Sequence, residues 1–449
     1  MSEIIKIKKG LEIKLQGEAD RMLSDSVSSK YALKPTDFIG VFPKLTVKES
    51  DKVKTGSPVF FDKYRDNIQF TSPVSGTITE IKRGPKRILL EIQIEADGTD
   101  DAIDFGKADP NAIEKEVIVE KLLKSGLWAT IRQRPYSTIA YPETNPKAIF
   151  ISGFDTGPLA VDYDYMLHGK GEEFQTGLDA LAKLTTGKVH LNLHAYDTTS
   201  KVFLNAKNVQ INLFSGKHPA SLVSTQIAKL DPINKGEMVW TINVQDVVNI
   251  GKLFLSGKLC TEKLFAVAGS EVLKPRYFKA KMGVSIQELI KSNVSNNKLR
   301  FISGNPLTGT QIEANGYLGF YHNQLSIIPE GDYYQFVGWI TPNLNKFSFY
   351  RSLFSWLTPK KSYRLDTNLN GGPRAFVMTG QFEKVFPFDI YPMQLIKAVM
   401  ARDIDMMENL GIYEVDAEDF ALIEFISTSK IEVQSIIAEG LEFLRKEMN

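Results

Sequence analysis

The chain has 449 residues, of which 43% are hydrophobic and 24% charged, a composition that indicates a folded protein of about three or four domains. Its formal net charge of +1 gives no long-range field to gather nucleic acid or anionic lipid, so nucleic acid is not expected as a partner. The single cysteine, Cys260, excludes a disulfide framework, a four-thiolate zinc site and an iron–sulfur cluster ligated by this chain. No apolar run approaches the roughly 20 residues that cross a bilayer.

The first hundred residues are rich in predicted strands, because apolar and polar residues alternate in IIKIKKGLEIKL and ILLEIQIEA. Between them, VKESDKVKTGSPVF and SPVSGTITEI resemble the two halves of the barrel-sandwich fold of biotinyl and lipoyl carrier domains. A carrier needs a lysine at a hairpin tip, and Lys63 is the nearest candidate. Its neighbours are not those of a carrier lysine, so a structural barrel sandwich over 1–98 is the favoured interpretation.

An acidic stretch, ADGTDDAIDFGKADPNA, is typical of a linker and opens a second predicted domain, 99–258. Beyond it, apolar strands such as KAIFIS and KVHLNLH alternate with helices such as EEFQTGLDALAKL. Strands that are apolar on both faces and alternate with helices predict a parallel, Rossmann-like α/β sheet.

Two further domains are predicted after the Rossmann-like one. Residues 259–340 contain short strands and one helix, SIQELIKSN, which is compatible with a small β-grasp module. Residues 341–449 are predicted to be mainly helical. The last helix has an apolar face that either packs on the core, the favoured interpretation, or binds a partner; this face consists of Val433, Ile436, Ile437, Leu441 and Leu444.

The tetrapeptide Phe154-Asp155-Thr156-Gly157 matches the short signature around the catalytic carboxylate of aspartic proteases. Those enzymes need two carboxylates that share a proton, and this chain has no second Asp-Thr-Gly. Because the motif follows a predicted parallel strand, a turn is the favoured interpretation and catalysis by Asp155 the alternative.

Two other patterns resemble ligand-binding motifs but are better explained as structural features. His190 and His194 are about 13 Å apart if KVHLNLH is a strand, too far for one zinc ion to bind both. Gly169, Gly171 and Gly177 lack the G-x-G-x-x-G spacing of a dinucleotide loop, so a glycine-containing loop before a helix is preferred.

The stretches SGLWATIRQRPYS and PKAIFISGFDTGPLAVD resemble the flavin-binding region of the NADH-oxidising flavoprotein subunit of respiratory complex I and of the C subunit of Rnf complexes. In those relatives a glycine-rich loop lies near the flavin phosphate, and a second loop carries paired carboxylates. Here residues 127–136 contain no glycine, and Ser152–Pro158 lacks the paired carboxylates. The cysteine-rich cluster motifs of those relatives are missing as well. These departures predict a retained scaffold from which the redox centres have been lost.

The whole chain is similar to the NqrA family, the A subunits of the Na⁺-translocating NADH:quinone oxidoreductases. The resemblance rests on long blocks in the same order: IKIKKGLEIKLQG, FTSPVSGTITEIKRGPKR, ISGFDTGPLAVDYDYMLHGKGEEFQTGLDAL and GGPRAFVMTGQFEKVFPFDIYPMQLIKA. Members often have Cys-Pro-Gly-Lys in the last third, where this chain has Ser427–Lys430. The resemblance therefore covers fold and order of domains, but not that thiol.

The resemblance implies a peripheral protein on the cytoplasmic side of the bacterial inner membrane, docked on the membrane-embedded B subunit of a six-subunit, Na⁺-exporting complex. That complex uses NAD, flavins, iron centres and ubiquinone or menaquinone. For this chain it implies a role in assembly and in the quinone-reduction step, without a redox cofactor of its own. The alternative is a chain that still holds flavin or NADH through altered contacts and takes part in hydride transfer.

If quinone contacts this chain, four residues in unusual loop settings are the candidates, because a quinone ring needs apolar walls and one or two polar donors. The candidates are Phe38, Phe42, Arg132 and Tyr136. Packing of these side chains inside the protein or against a partner is the favoured alternative, because aromatic residues are common in cores and interfaces. No catalytic residue and no metal ligand is predicted.

Overall fold

The structure is a computed structural model that describes residues 3–25, 28–295, 297–338, 343–351 and 353–448. The strands are β1 Ile4–Ile7, β2 Asp20–Asp25, β3 Lys30–Leu33, β4 Pro43–Leu45, β5 Lys52–Val53, β6 Pro58–Asp62, β7 Arg65–Thr71, β8 Gly76–Arg83, β9 Leu89–Ala96, β10 Arg132–Arg134, β11 Thr138–Ile139, β12 Ala148–Ser152, β13 Lys188–His194, β14 Gln210–Gly216, β15 Val239–Thr241, β16 Glu262–Ala268, β17 Arg276–Lys281, β18 Leu299–Ser303, β19 Thr310–Ile312 and β20 Gln324–Pro329. The helices are α1 Lys115–Ser125, α2 Tyr163–Met166, α3 Gly171–Ala182, α4 Lys201–Leu204, α5 Val223–Leu230, α6 Val244–Ser256, α7 Ile286–Ile290, α8 Pro392–Ala401, α9 Ile404–Asn409, α10 Ala421–Ile426 and α11 Val433–Met448.

The Rossmann-like α/β prediction is confirmed by a seven-stranded sheet in the order β1-β14-β13-β12-β15-β10-β11. Strands β12, β13, β14 and β15 run parallel and alternate with α3, α4, α5 and α6 along the chain. Most of these strands are largely buried, which explains their continuous apolar sequences. Helices α3 and α6 pack closely, because Gly177 and Gly251 let their backbones approach: a Cβ at Gly251 would lie 1.7 Å from the Glu173 carbonyl oxygen.

The barrel-sandwich prediction is also confirmed. It consists of a four-stranded sheet, β3-β9-β8-β5, and a three-stranded sheet, β4-β6-β7, which enclose Phe60, Phe70 and Ile92. The predicted extent of 1–98 differs from the strand pairing at one end. Strand β1 is an edge strand of the α/β sheet, paired with β14, and β2 pairs with β17 of the next sheet. The first strands lie outside the barrel sandwich because they extend the edges of two other sheets.

The remaining sheet belongs to the third predicted domain and is here called the third sheet. It has six strands in the order β19-β18-β20-β16-β17-β2, and α7 follows β17 along the chain. It contains the strands expected of the β-grasp module, with β16 parallel to β20 and antiparallel to β17. Its last strand in sequence, β20, ends at Pro329. The prediction of SIQELIKSN as a helix is confirmed by α7.

The C-terminal part contains helices, as predicted, but they begin only at Pro392. Between Pro329 and Pro392 the described residues form turns, short 3₁₀ segments and extended chain. The prediction of a mainly helical 341–449 is therefore wrong for the residues before Pro392, whose backbone groups bond to side chains and to neighbouring segments instead. Helix α11 buries Val433, Ile437, Leu441 and Leu444 in the C-terminal core, which confirms the packed-helix interpretation.

Candidate functional site

The Phe154-Asp155-Thr156-Gly157 motif forms a turn directly after strand β12. The Asp155 carboxylate accepts a hydrogen bond of 2.8 Å from the Gly157 backbone N–H, which closes the turn on itself. The Ser221 hydroxyl accepts from the Thr156 N–H at 2.9 Å and so ties the turn to the loop before α5. Burial raises the pKa of Asp155, against the hydrogen bonds to its carboxylate. Asp155 thus has the contacts of a turn residue, as predicted.

Residues Leu127–Thr130, which the sequence comparison placed opposite a glycine-rich flavin loop, lie in the core. After α1, Gly126 has a left-handed backbone (φ +79°) and residues Leu127–Thr130 form a 3₁₀ turn whose four side chains are at most 2% exposed. The Trp128 indole N–H donates to the Ala140 carbonyl at 2.8 Å, and its ring meets the edge of Trp240 at 5.4 Å. Side chains, not a backbone loop, therefore fill this region.

A small cavity of about 20 Å³ lies beside this segment, between the barrel sandwich and the third sheet. Its lining includes Phe70, Leu127, Met282 and Phe320. This volume accommodates about one water molecule, and it is far smaller than the several hundred Å³ of an ordinary ligand pocket.

Two of the four quinone candidates meet around one tyrosine. The Phe38 side chain is 3% exposed, and its ring centroid lies 5.9 Å from that of Tyr321. The Arg132 guanidinium lies 4.8 Å from the centroid of the same Tyr321 ring. The Tyr321 hydroxyl donates to the Ala129 carbonyl at 2.7 Å, so this tyrosine joins the loop before β20 to the Leu127–Thr130 segment.

The other two candidates lie nearer the surface. Phe42 is 48% exposed and meets the edge of the Tyr64 ring at 4.9 Å. Tyr136 has a positive φ of 78°, and its ring centroid lies 6.3 Å from that of Tyr413. The two loops come close at Gly40, where a Cβ would lie 3.3 Å from the Thr138 methyl group. The candidates thus divide into Phe38 and Arg132, which contact Tyr321, and Phe42 and Tyr136, which have other aromatic neighbours; of the four, only Phe38 is buried.

The carboxyl edge of the parallel sheet carries a buried polar cluster between β12 and β15. These two neighbours form the point at which the strand order reverses, where open α/β sheets usually bind their ligands. Here the hydroxyl of Tyr163 from α2 accepts from the Asn243 amide at 2.9 Å and the Asn323 amide at 3.3 Å. Burial raises the pKa of Tyr163, so its phenol stays neutral at physiological pH.

A buried ion pair lies on α6 next to this cluster. Asp246 and Lys263 are 2.7 Å apart, and both side chains are at most 2% exposed. Burial raises the pKa of Asp246, and the charges of Lys263 and Arg132 oppose that shift. The pair therefore links α6 to strand β16 inside the protein.

Residues 320–324, which lead into strand β20, contact the Asp155 turn and Asp37, and sequence reasoning missed them. The Gln324 amide lies 3.5 Å from the Pro158 carbonyl in the Asp155 turn, and the Phe320 N–H donates to Asp37 at 2.8 Å. His322 is half-buried beside them and bonds to the Ser303 hydroxyl at 2.8 Å, and desolvation lowers its pKa to about 4. No motif or periodicity in this stretch predicts contact with residues more than 150 positions away.

The remaining candidate patterns have structural roles. His190 and His194 lie on strand β13, as predicted, and the His190 ring stacks on Phe150 at 4.6 Å. Lys63 lies in the turn between β6 and β7, with its ammonium 5.5 Å from the Tyr64 ring centroid. Among the described residues, no group of three or more His, Cys, Asp or Glu side chains is arranged to hold a metal ion.

Three family models match successive parts of the chain. An NqrA N-terminal barrel-sandwich hybrid domain matches residues 5–97, an NqrA second alpha/beta domain matches 113–259, and an NQRA C-terminal domain of SLBB type matches 264–314. Their order agrees with the three sheet systems described above.

Relatives match over the full chain. The A subunit of the Na(+)-translocating NADH-quinone reductase of Yersinia pestis bv. Antiqua (strain Angola) is 38% identical over 449 residues, which is 99% of this chain and 100% of the relative. The corresponding protein of Neisseria meningitidis serogroup A is also 38% identical, over 99% of this chain and 100% of its own length. This chain belongs to the NqrA family, the A subunits of the Na⁺-translocating NADH-quinone reductases.

Solved structures give a more distant likeness to this NqrA family member. An NAD⁺-reducing [NiFe]-hydrogenase in the air-oxidized state is 11% identical, with a TM-score of 0.39 over 75% of this chain and 64% of the hydrogenase chain. Within the part of the chain that the structure describes, no helix has both the length and the apolar character to span a bilayer.

Proposed function

We propose that this chain is the peripheral NqrA component of a complex that oxidises NADH, reduces quinone and translocates Na⁺, and that it shapes the quinone-reducing end. The observation that carries the proposal is the 38% identity to a curated NqrA protein over 99% of the chain. The chain would bind neither flavin nor NADH, and the buried side chains of Leu127–Thr130 support that view, because by sequence resemblance they stand where relatives have a glycine-rich phosphate-binding loop.

Quinone, in this proposal, meets the chain near Tyr321. Phe38 and Tyr321 would supply aromatic walls, and Arg132 a cationic donor to a quinone carbonyl oxygen. Phe42 and Tyr136 would lie on the path from the surface, because their loops adjoin at Gly40. The small cavity lined by Leu127 and Phe320 is not lined by any of these residues, and its volume of about 20 Å³ is too small for a quinone ring.

Substitution of Arg132 in the assembled complex tests the quinone contact. Arg132→Ala should raise the KM for quinone by roughly tenfold, the worth of about 1.4 kcal/mol, and leave NADH oxidation by an artificial acceptor unchanged. The matched control is Lys44→Ala, which removes a cation 5.6 Å from the Phe61 ring on the surface. An unchanged KM in Arg132→Ala would reject quinone contact at this residue.

Docking is tested by deletion of the membrane-embedded B subunit, the proposed anchor on the cytoplasmic side of the membrane. In a strain that lacks this anchor, the chain should be recovered in the soluble fraction after membranes are washed at high salt, which screens weak charge contacts. Retention on washed membranes without the anchor would reject docking on it.

Cofactor content separates the proposal from its rival, a chain that holds flavin by altered contacts. The purified, unbleached chain should show no visible flavin absorbance. Stoichiometric flavin absorbance would reject a redox-silent role, whatever the outcome of the docking test.

A further inference from the structure

Residues 331–367, here called the aromatic loop, are unlike the rest of the chain in composition. These 37 residues contain ten of the 47 aromatic residues of the protein. They also contain five Lys or Arg and two Asp, a net charge of +3, whereas the whole chain has +1. The near-zero total thus conceals a local concentration of positive charge and aromatic side chains.

The two ends of the aromatic loop are fixed to each other and to the third sheet. The Gly331 N–H donates to the Thr367 hydroxyl at 2.9 Å, and that hydroxyl donates to the Glu330 carboxylate at 2.7 Å. Arg300 binds the same carboxylate through two hydrogen bonds of 2.8 and 2.5 Å. The loop therefore leaves the domain at a defined neck.

A second set of contacts fixes the returning arm. Arg364 donates to the buried Glu271 carboxylate at 2.7 Å, and the Tyr363 N–H donates to the Lys14 carbonyl at 2.8 Å. Phe347 packs its ring 6.0 Å from Phe425 of the C-terminal helices. These contacts order the base of the loop.

The middle of the aromatic loop exposes large apolar side chains. Tyr334 and Phe336 are almost fully exposed, at 105% and 94%, and Trp356 and Leu357 are 51% and 57% exposed. Arg351 lies 5.5 Å from the Trp356 ring centroid, so basic and aromatic groups adjoin there. Several large apolar side chains exposed within one segment indicate a binding surface.

The composition favours a lipid surface over a protein surface as the occupant. Trp and Tyr together with Lys and Arg are the residues enriched at membrane–water interfaces, where the rings enter the headgroup level and the cations meet anionic lipid. Cytoplasmic loops of membrane proteins carry an excess of Lys and Arg and would repel a loop of charge +3. Anionic headgroups would attract it.

We propose that the aromatic loop inserts Tyr334, Phe336 and Trp356 into the headgroup region of an anionic bilayer. The inference rests on the proposed function and deepens it. The lipid contact would fix the distance between this peripheral protein and the bilayer, next to its protein anchor. The contact is weak by itself, since a few interfacial aromatic residues and a charge of +3 give only reversible binding that high salt removes.

Co-sedimentation of the full chain with vesicles tests the proposal without any partner protein. At low ionic strength, binding to vesicles of phosphatidylglycerol and phosphatidylcholine should exceed binding to phosphatidylcholine alone and should fall as salt is added. Phe336→Ser with Trp356→Ser should weaken binding roughly tenfold, because two partly inserted rings are lost.

The matched control is Tyr391→Ser, which removes a ring that is 67% exposed outside the loop and should leave vesicle binding unchanged. Equal binding of the loop variant and the parent chain, or no preference for anionic vesicles, would overturn the proposal. Vesicles contain no protein anchor, so failure here leaves the docking proposal intact, and failure of the salt-washed docking test leaves this one intact.

A photoreactive amino acid in place of Trp356 extends the test to the assembled complex. The expected product is a cross-link to phospholipid. A cross-link to another protein of the complex, with none to lipid, would assign the loop to a protein partner and overturn the proposal.

Discussion

Leu127–Thr130 and the aromatic loop both carry large apolar side chains outside regular helices and strands, but Trp128 of the first is buried and Trp356 of the second is exposed. Trp128 is 0% exposed and is held by a hydrogen bond to Ala140, whereas Trp356 is 51% exposed beside Arg351. Burial of the first completes a core in which Trp128 meets Trp240. Exposure of the second leaves apolar surface that a lipid bilayer or another molecule can cover. Residue type alone therefore does not separate a filled core from a docking surface.

The largest expected difference between the two regions is in stability. Trp128→Ala should lower the free energy of unfolding by about 3–5 kcal/mol, because it removes a buried ring and its hydrogen bond and leaves a cavity. Trp356→Ala should change it by no more than about 0.5 kcal/mol, since the ring is half exposed. Denaturant titration followed by circular dichroism would measure both. Similar losses of unfolding free energy in the two variants would show that the two regions do not differ in packing.

A slightly smaller loss of stability is expected on substitution of Arg134, which follows the Leu127–Thr130 segment and joins strand β10 to the C-terminal part of the chain. This side chain is 3% exposed, pairs with Asp416 and donates to Glu418 at 2.7 Å. Arg134→Met should cost about 3 kcal/mol, because it leaves the buried Asp416 carboxylate without its cation. The exposed pair of Lys124 and Glu120 gives the control: Lys124→Ala should cost less than about 0.5 kcal/mol.

Equal stability of Arg134→Met and the parent chain, by the same denaturant titration, would mean that the pair does not hold the C-terminal helices in place. Loss of stability in Lys124→Ala as large as that in Arg134→Met would show that the burial of the pair is not the deciding property.

The smallest effect is expected at the two ends of the aromatic loop, where the local stability should depend on pH. Arg300 lowers the pKa of Glu330 to about 2 from 4.5, against burial and with help from Thr367. At Glu271, burial would raise the pKa, but hydrogen bonds from Arg364, Ser295 and Asn297 outweigh it and lower the pKa to about 2. Because both values are depressed in the folded state, the stabilisation is complete above pH 4.5 and is lost as pH falls from 4.5 toward 2.

Hydrogen exchange at the Gly331 amide, which bonds to Thr367, measures this effect. After correction for the intrinsic exchange rate, its protection should fall roughly tenfold through that pH range, and the amide of Trp240 in the core should keep its protection longer. Glu330→Gln should lower the protection of Gly331 at pH 7 and flatten its pH dependence. If the protection of the Gly331 amide in the parent chain did not change with pH, the proposed role of the two carboxylates would be contradicted.

Much of the fold could be predicted from periodicity, because alternation and helical stripes report burial within one element. The parallel strands around KAIFIS, the turn at Asp155 and the buried face of α11 are examples. The described residues between 341 and Pro392 could not be predicted in this way. The expectation of helices fails there, because the backbone bonds to side chains and distant segments instead.

The sequence alone determined that cluster-binding thiols and a glycine-rich flavin loop are missing, since these depend on residue identity. Only the tertiary structure decided where the four quinone candidates lie, because Tyr321 reaches Phe38 and Arg132 from nearly 200 or more positions away. It also decided which aromatic residues are exposed. Such contacts depend on how sheets pack against each other, and packing between distant segments leaves no local pattern in the chain.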